Sequence, residues 1–363
     1  VTTAPGKSAP TLIVAGGGTG GHVLAGVAIA DAWKLKHPGA RILFVGARGG
    51  IEEKLVPRAG YTLELLSLGS LKGVSTLRRM KTLLQLPLSF LRSAMILTRS
   101  KPEAVIGVGG YASGPLVLFS RFLAPFFGTR VAILEQNAVP GLTNRILSRF
   151  AHRVLSAFPG MEKRFPAGKL ILTGNPVRKE IRPLPRSSRD PFTIFVFGGS
   201  QGSVPINGFV LEALPILARS VRWIHQTGER DYERVAEGHR KAGTDARVEK
   251  FIHDMPMAYG QASVLLCRAG SSTLAEIAAV RRAAILIPFP QASDNHQELN
   301  ARGFSEAGAA VIVRQSEATG VKLAALINEL KSNPARLDQM EDAVGRFYRP
   351  DAASAAVEAL SRS

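Results

Sequence analysis

Residues 11–22 read Thr-Leu-Ile-Val-Ala-Gly-Gly-Gly-Thr-Gly-Gly-His, an apolar run that breaks into five glycines within six positions and ends on a histidine. A short apolar run bounded by glycine predicts a buried strand, and the glycines predict a turn whose backbone can approach a ligand before a helix begins. The unpaired N–H groups and the positive end of that helix suit an anion. The design returns at 193–202, Thr-Ile-Phe-Val-Phe-Gly-Gly-Ser-Gln-Gly. Two such loops, one in each half, predict two α/β domains with a phosphorylated substrate handled in a cleft between them.

Outward from these loops, strand-like runs recur at Thr11–Ala15, Arg41–Val45, Thr62–Leu66, Ala104–Val108, Val131–Leu134 and Arg153–Leu155. In the second half they recur at Thr193–Phe197, Val221–Gln226, Val248–Phe251, Val264–Cys267, Ala284–Ile287 and Ala310–Val313. Helical patterns lie between them, notably His22–Lys36 and Pro115–Leu123. Strand–helix alternation with glycines at strand ends predicts doubly wound parallel sheets with ligands at the carboxyl ends of the strands. Residues 179–191 hold three prolines and no periodicity, and read as a linker.

At 363 residues, 45% apolar and 20% charged, the chain has the composition of a soluble globular protein of two domains. Val1–Pro10 is polar and does not read as a signal peptide, and the single cysteine, Cys267, fits a reducing compartment such as the cytoplasm. The net charge of +18 is lopsided: residues 1–180 hold 24 basic and 8 acidic residues. A basic half implies an anionic partner. Nucleic acid is disfavoured, because aromatics make up 7% of the chain and no zinc-finger or RNA-binding aromatic spacing is present.

A lipid surface fits better. Segment 72–101 carries Lys72, Arg78, Arg79, Lys81, Arg92, Arg99 and Lys101 among Leu77, Leu83, Leu84, Leu86, Leu88, Phe90 and Leu91. That mix suits an interfacial segment, or equally a helix with leucines in the core and arginines in water. Pro87 interrupts it and its uncharged stretch is too short to span a bilayer. Pro115–Phe127 reads as a buried crossover helix.

Several motif readings compete for the glycine loops. Gly16, Gly18 and Gly21 satisfy G-x-G-x-x-G, but Val45-Gly-Ala-Arg48 offers an arginine where the dinucleotide fold has its acidic residue, so only an NADP-type reading survives. Gly198-Gly-Ser200-Gln-Gly202 fits the G-x-S-x-G elbow of serine hydrolases, with Asp254 and His296 downstream, yet leaves residues 1–180 without a role. The absence of G-x-x-x-x-G-K-[ST] argues against a P-loop kinase. The seven histidines form no ligand pair at helical spacing and no Asp-x-Asp occurs, so no metal or other cofactor is expected. Asp231-Tyr-Glu233 comes nearest, in a charged stretch that reads as a solvated helix.

Taken in order, Gly16–His22, Gly109-Gly-Tyr-Ala-Ser-Gly-Pro115, Glu135-Gln-Asn137, Gly174-Asn-Pro-Val-Arg178, Gly198–Gly202, Phe251-Ile-His-Asp-Met255, Arg268–Glu276 and His296-Gln297 resemble the MurG family. These are bacterial N-acetylglucosaminyltransferases that convert lipid I to lipid II in peptidoglycan synthesis. The resemblance runs from about residue 11 to the C-terminus. It implies a GT-B fold, two Rossmann-like domains facing across a cleft. Residues 1–180 would be the acceptor and membrane side, 181–347 would hold UDP-N-acetylglucosamine, and a last helix within 348–363 would pack on the first domain. The implied setting is the cytoplasmic face of the membrane, as a peripheral protein, with lipid I as acceptor and other cell-wall synthesis proteins as partners.

The implied chemistry is an inverting displacement in which an acceptor hydroxyl loses its proton to a base as UDP departs. His22, at a helix start after the glycine loop, is the candidate base, and the plainer alternative is a histidine that positions the loop. Glu135 is a second candidate, or a carboxylate bonding loop amides. Leu134 stands where many family members carry a histidine, which leaves His22 as the better base. Arg178 and the surroundings of Ser200 would meet the leaving-group charge. The resemblance further assigns Glu276 to the ribose, in the stretch Ser271, Ser272, Thr273, Leu274, Ala275, Glu276, where a helix-dipole role is the alternative. It sets Ile252 at the uracil through its backbone, Gln297 at the donor sugar, and Thr19, Gly20, Gly21 and Asn137 near the reacting sugar. Tyr111, Asn144 and Asn207 would be further cleft residues or loop packing.

Overall fold

The computed structural model describes residues 9–68, 76–186, 188–217 and 220–361, with side chains in the helix Thr76–Ser100 from residue 85 onward. Packing divides the chain into two compact units, Val1–Arg178 with Arg349–Ser363, and Lys179–Tyr348.

The first unit runs β1 (Thr11–Gly16), α1 (Gly20–Lys36), β2 (Arg41–Ala47), α2 (Glu52–Arg58), β3 (Thr62–Leu66), α3 (Thr76–Ser100), β4 (Ala104–Gly109), α4 (Ser113–Phe127), β5 (Arg130–Glu135), α5 (Leu142–Leu147), β6 (Arg153–Ser156) and β7 (Leu170–Leu172). Its sheet is parallel, in the order β3-β2-β1-β4-β5-β6-β7. Successive residues of a strand face opposite sides, so Leu12 and Val14 of β1 join the core under α1 while Ile13 and Ala15 join the core under α3 and α4. Both faces are covered, which is why β1 and β4 read as unbroken apolar runs. Gly26 lets α1 approach: a Cβ there would stand 2.8 Å from Val14.

The second unit runs β8 (Thr193–Phe197), α6 (Val204–Leu217), β9 (Arg222–Gln226), α7 (Tyr232–Ala242), β10 (Asp245–Glu249), α8 (Met255–Gln261), β11 (Val264–Cys267), α9 (Ser271–Val280), β12 (Ala284–Leu286), α10 (His296–Glu306), β13 (Ala310–Ile312), α11 (Gly320–Ser332) and α12 (Pro334–Gly345). Its sheet, β10-β9-β8-β11-β12-β13, is also parallel and repeats the same winding. In both sheets the order reverses beside the strand that feeds a glycine loop, the place where doubly wound folds take ligands. The last helix, α13 (Ala352–Ser361), belongs to the first unit, where Ala356, Val357 and Leu360 join the core of Leu12, Val14 and Trp33.

Four local expectations change. The strand expected at Val248–Phe251 is β10, three residues earlier; as an edge strand it alternates Ala246 and Val248 with Asp245, Arg247 and Glu249, and Asp245 pairs with Arg222 at 2.7 Å. β7, three residues long, has too short a pattern to be read. Pro87 lies inside α3, where the buried Ile96 and Leu97 anchor a 25-residue helix that tolerates one missing bond. α4 is buried on one face only, since Phe122 and Phe126 are 66% and 80% exposed. Among the described residues no helix is long and apolar enough to cross a membrane. Lys72, Arg78, Arg79, Lys81, Leu77, Leu83 and Leu84 of the basic segment lie outside the described side chains.

Candidate active site

In the first unit the turn after β1 is held on three sides. Thr19 caps α1, its hydroxyl accepting from the His22 amide at 3.3 Å. The Gly17 amide donates to the Gly109 carbonyl at 3.1 Å. The Gly18 amide donates to Glu52 Oε2 and the Ala47 amide to Glu52 Oε1, each at 2.9 Å. The Gly18 amide, expected to face a ligand anion, is therefore held by an internal carboxylate, and the Gly17 amide by a backbone carbonyl.

The His22 ring Nδ1 lies 3.0 Å from the Gly17 carbonyl. A carbonyl oxygen can only accept, so Nδ1 carries the proton and Nε2 is the basic nitrogen of the neutral ring. The ring rests on Gly109, whose φ of +108° and missing Cβ make room; a Cβ there would stand 3.0 Å from the imidazole. Glu135, at the end of β5, is buried and accepts four bonds: from the Asn137 amide (2.9 Å) and Asn137 Nδ2 (3.3 Å) on Oε1, and from the Gly141 amide (3.0 Å) and Asn144 Nδ2 (2.9 Å) on Oε2. Two donors on each oxygen use every lone pair, so the geometry makes Glu135 a loop organiser, not a base.

In the second unit, buried polar side chains tie the strand-end loops together. Gln226, at the end of β9, donates to the Gly199 carbonyl at 3.0 Å and accepts from the Ile252 amide at 2.9 Å. Arg268, after β11, donates to Ile287 O (3.0 Å), Pro288 O (3.1 Å), Ser203 Oγ (2.8 Å) and Gln315 Oε1 (2.8 Å), and burial lowers its pKa to about 10. All four acceptors are neutral. Gln297 Oε1 accepts from the Ala269 and Phe289 amides at 3.2 and 3.0 Å, while its Nε2 has no bond among the described residues. Gly202 and Gly228 meet back to back: Cβ atoms there would stand 1.9 Å from Thr227 O and 2.1 Å from Gln201 O.

Glu276 lies in the second turn of α9, buried, and accepts from the Tyr259 hydroxyl at 2.8 Å. It lies too deep in the helix to act mainly on the N-terminal dipole. The Leu274 amide is donated to Gly270 O at 2.9 Å, so the open amides at this helix start are those of the first turn.

The description Glycosyltransferase family 28 N-terminal domain matches residues 12–156, and Glycosyltransferase family 28 C-terminal domain matches residues 193–356. A protein of Myxococcus xanthus named UDP-N-acetylglucosamine--N-acetylmuramyl-(pentapeptide) pyrophosphoryl-undecaprenol N-acetylglucosamine transferase is 45% identical over 94% of this chain and 90% of its own. One of the same name from Syntrophus aciditrophicus is 45% identical over 91% of this chain and 92% of its own. The crystal structure of Acinetobacter baumannii MurG superposes with a TM-score of 0.80 at 29% identity, covering 98% of this chain and all of that one. The chain belongs to the MurG family.

Within this MurG-family chain, which has the GT-B fold of two Rossmann-like units, the structure sorts the expected residues. His22, Thr19, Gly20, Gly21, Tyr111, Asn137 and the half-buried Arg178 belong to the first unit; Ser200, Ile252, Ser271 to Glu276 and Gln297 belong to the second. Tyr111 is partly exposed just past the Gly109–Gly110 turn. Asn144 donates through Nδ2 to Glu135 and the Leu134 carbonyl, while its buried Oδ1 has no hydrogen-bond partner among the described residues. Asn207 is buried and bonded to Thr227 O, Asp231 and His225, so it is loop packing and not a ligand contact. Asp231 is likewise buried, not solvated. Ile252 has only its carbonyl to offer, its amide being held by Gln226. Glu52 and Gln226 were not singled out from the sequence, and Arg268 only as the first residue of the Arg268–Glu276 motif.

The competing motif readings lose their geometry. Ser200 is not among the positive-φ residues, as the strained turn of a nucleophile elbow requires. His296 Nδ1 bonds to Ser293 O at 2.7 Å and Asp254 caps α8 through the Met257 amide, so neither forms a serine relay. The Gly18 amide that a dinucleotide pyrophosphate would use is donated to Glu52. Among the described residues no group of three or more His, Cys, Asp or Glu is placed to hold a metal.

Proposed function

We propose that the chain moves N-acetylglucosamine from UDP-N-acetylglucosamine to the muramyl sugar of lipid I, inverting the anomeric carbon and forming lipid II. The observation that carries this is the near-full-length likeness to transferases named for that reaction. In this reading the acceptor hydroxyl attacks the anomeric carbon, its proton passes to His22 Nε2, and UDP leaves. Arg178, the turn around Ser200 and the first-turn amides of α9 take up the negative charge on the departing diphosphate. Glu276 holds the ribose hydroxyls, the Ile252 carbonyl meets the uracil, and Gln297 Nε2 donates to the donor sugar. No metal is needed in this scheme.

Purified protein given UDP-N-acetylglucosamine and a lipid I analogue is expected to release UDP with matching disaccharide product, at a rate unchanged by EDTA. Folded protein that releases no UDP overturns the assignment, and loss of turnover in EDTA overturns its metal-free part. The basic first half and the exposed apolar residues of α3 and α4 support a peripheral place on an anionic membrane surface.

A further inference from the structure

Glu52 is a charged residue in an odd place. It is the first residue of α2, 1% exposed, and among the described residues its carboxylate has no ion-pair partner. The chain clears space for it at three glycines: a Cβ at Gly17 would stand 2.2 Å from Oε1, one at Gly50 2.3 Å from Oε2, and one at Gly46 2.5 Å from Cγ. A buried carboxylate is costly, so three open positions and two dedicated amides point to a use for the charge.

Its connection to His22 runs through one peptide group. The Gly17 carbonyl and the Gly18 amide belong to the same planar unit. The N–H side of that unit donates to Glu52 at 2.9 Å, and the C=O side accepts from His22 Nδ1 at 3.0 Å. We infer that Glu52 is a positioning residue for His22, acting through the Gly17–Gly18 peptide as a carboxylate–peptide–imidazole relay. The carboxylate fixes the tilt of the peptide plane, so the carbonyl holds Nδ1–H and Nε2 is presented as the acceptor. Hydrogen bonds in a chain polarise one another, so the charge on Glu52 makes the Gly17 carbonyl a better acceptor when the imidazole gains a proton. The logic is that of the aspartate in a serine-protease triad, which orients its histidine and is not itself protonated, with a peptide inserted between the two side chains. Only the proton of the acceptor hydroxyl moves, to Nε2.

This inference rests on His22 being the base. Glu52→Gln is the test, because an amide has only one oxygen for two backbone donors. E52Q is expected to lower kcat about 10- to 100-fold, short of the roughly 100- to 10,000-fold of removing a base. The KM for UDP-N-acetylglucosamine should stay within about twofold, because Glu52 acts only through the base. In a His22→Ala background E52Q should cost less than about twofold, since residues acting as a unit are not additive.

A kcat for E52Q within twofold of the parent, or its full cost persisting beside H22A, overturns the relay. If H22A itself keeps full turnover, it is the base assignment that falls, whatever E52Q does. Long-range nitrogen–proton NMR of His22 in the unaltered protein decides independently of how the variant folds. Protonation at Nδ1 supports the relay and protonation at Nε2 overturns it.

Discussion

At the scale of single residues, His22 is informative because its backbone, its ring and its neighbours all constrain one atom. The amide is tied to Thr19, Nδ1 to Gly17, and the ring face lies on Gly109. His22→Ala is therefore expected to lower kcat about 100- to 10,000-fold. The KM for UDP-N-acetylglucosamine should rise less than about threefold, as steady-state kinetics with each substrate varied will measure; a rise in KM with kcat unchanged would make His22 a binding residue only. The place of His22 at the glycine turn was legible because it closes a glycine run at a helix start. Glu52 was not, since nothing within residues 11–22 announces a carboxylate that enters the turn from another helix. For Glu135, at the end of β5, and Asn207, in the first turn of α6, the sequence left loop packing open as an alternative, because a polar residue beside a strand-end loop looks alike whether it faces a ligand or its own loop.

At the scale of elements, a line of hydrogen bonds joins α7, β9 and α6. Thr244 Oγ1 lies 2.8 Å from His239 Nδ1, His239 Nε2 lies 3.2 Å from His225 Nδ1, and His225 Nε2 lies 3.0 Å from Asn207 Oδ1. The amide oxygen of Asn207 only accepts, which sets His225 Nε2 as donor; with both rings neutral, His225 Nδ1 accepts from His239 Nε2 and His239 Nδ1 accepts from the Thr244 hydroxyl. Burial, then the adjacent His239, lowers the pKa of His225 to about 3, and burial lowers His239 to about 4. Asp231 works against the shift at His225. Both values lie below the 6.5 of an exposed imidazole, so the unfolded chain binds more protons as the pH falls. The contribution of each ring is complete above about pH 6.5 and is lost on acidification, with a slope approaching about 1.4 kcal/mol per pH unit. Melting temperatures between pH 5 and 7.5 should fall with acid, and the double variant H225N/H239Q should melt lower at pH 7.5 but with a flatter slope between pH 5 and 6.5. An unchanged slope would show that the pair does not sense acid. Central strands such as β1, β8 and β11 were legible because burial on both faces leaves only apolar residues. The edge strands β7 and β10 were not, because one solvated side dilutes the pattern.

At the scale of the molecule, the positive charge and most of the exposed large apolar side chains among the described residues fall in the same half of the chain. Residues 1–180 carry nearly all of the net charge, and the first unit also exposes Leu88, Leu91 and Met95 on α3 and Phe122 and Phe126 on α4. The two helices pack together, with Phe90 and Phe119 5.6 Å apart, so these residues lie on neighbouring elements with Arg92 and Arg121 among them. Each basic residue near an anionic leaflet contributes about 1 kcal/mol, and that part fades as salt shortens the Debye length from about 10 Å at 0.1 M to about 3 Å at 1 M. Burial of a phenylalanine contributes roughly 1.5–3 kcal/mol and does not depend on screening. The two terms therefore separate by salt. Sedimentation with phosphatidylglycerol-containing vesicles should retain the protein at about 0.05 M salt and a smaller fraction at about 0.5 M. The variant F122S/F126S should keep most of the low-salt retention and lose the high-salt remainder. Equal retention of parent and variant at high salt would remove α4 from the contact, and no retention of the parent at low salt would end the membrane assignment.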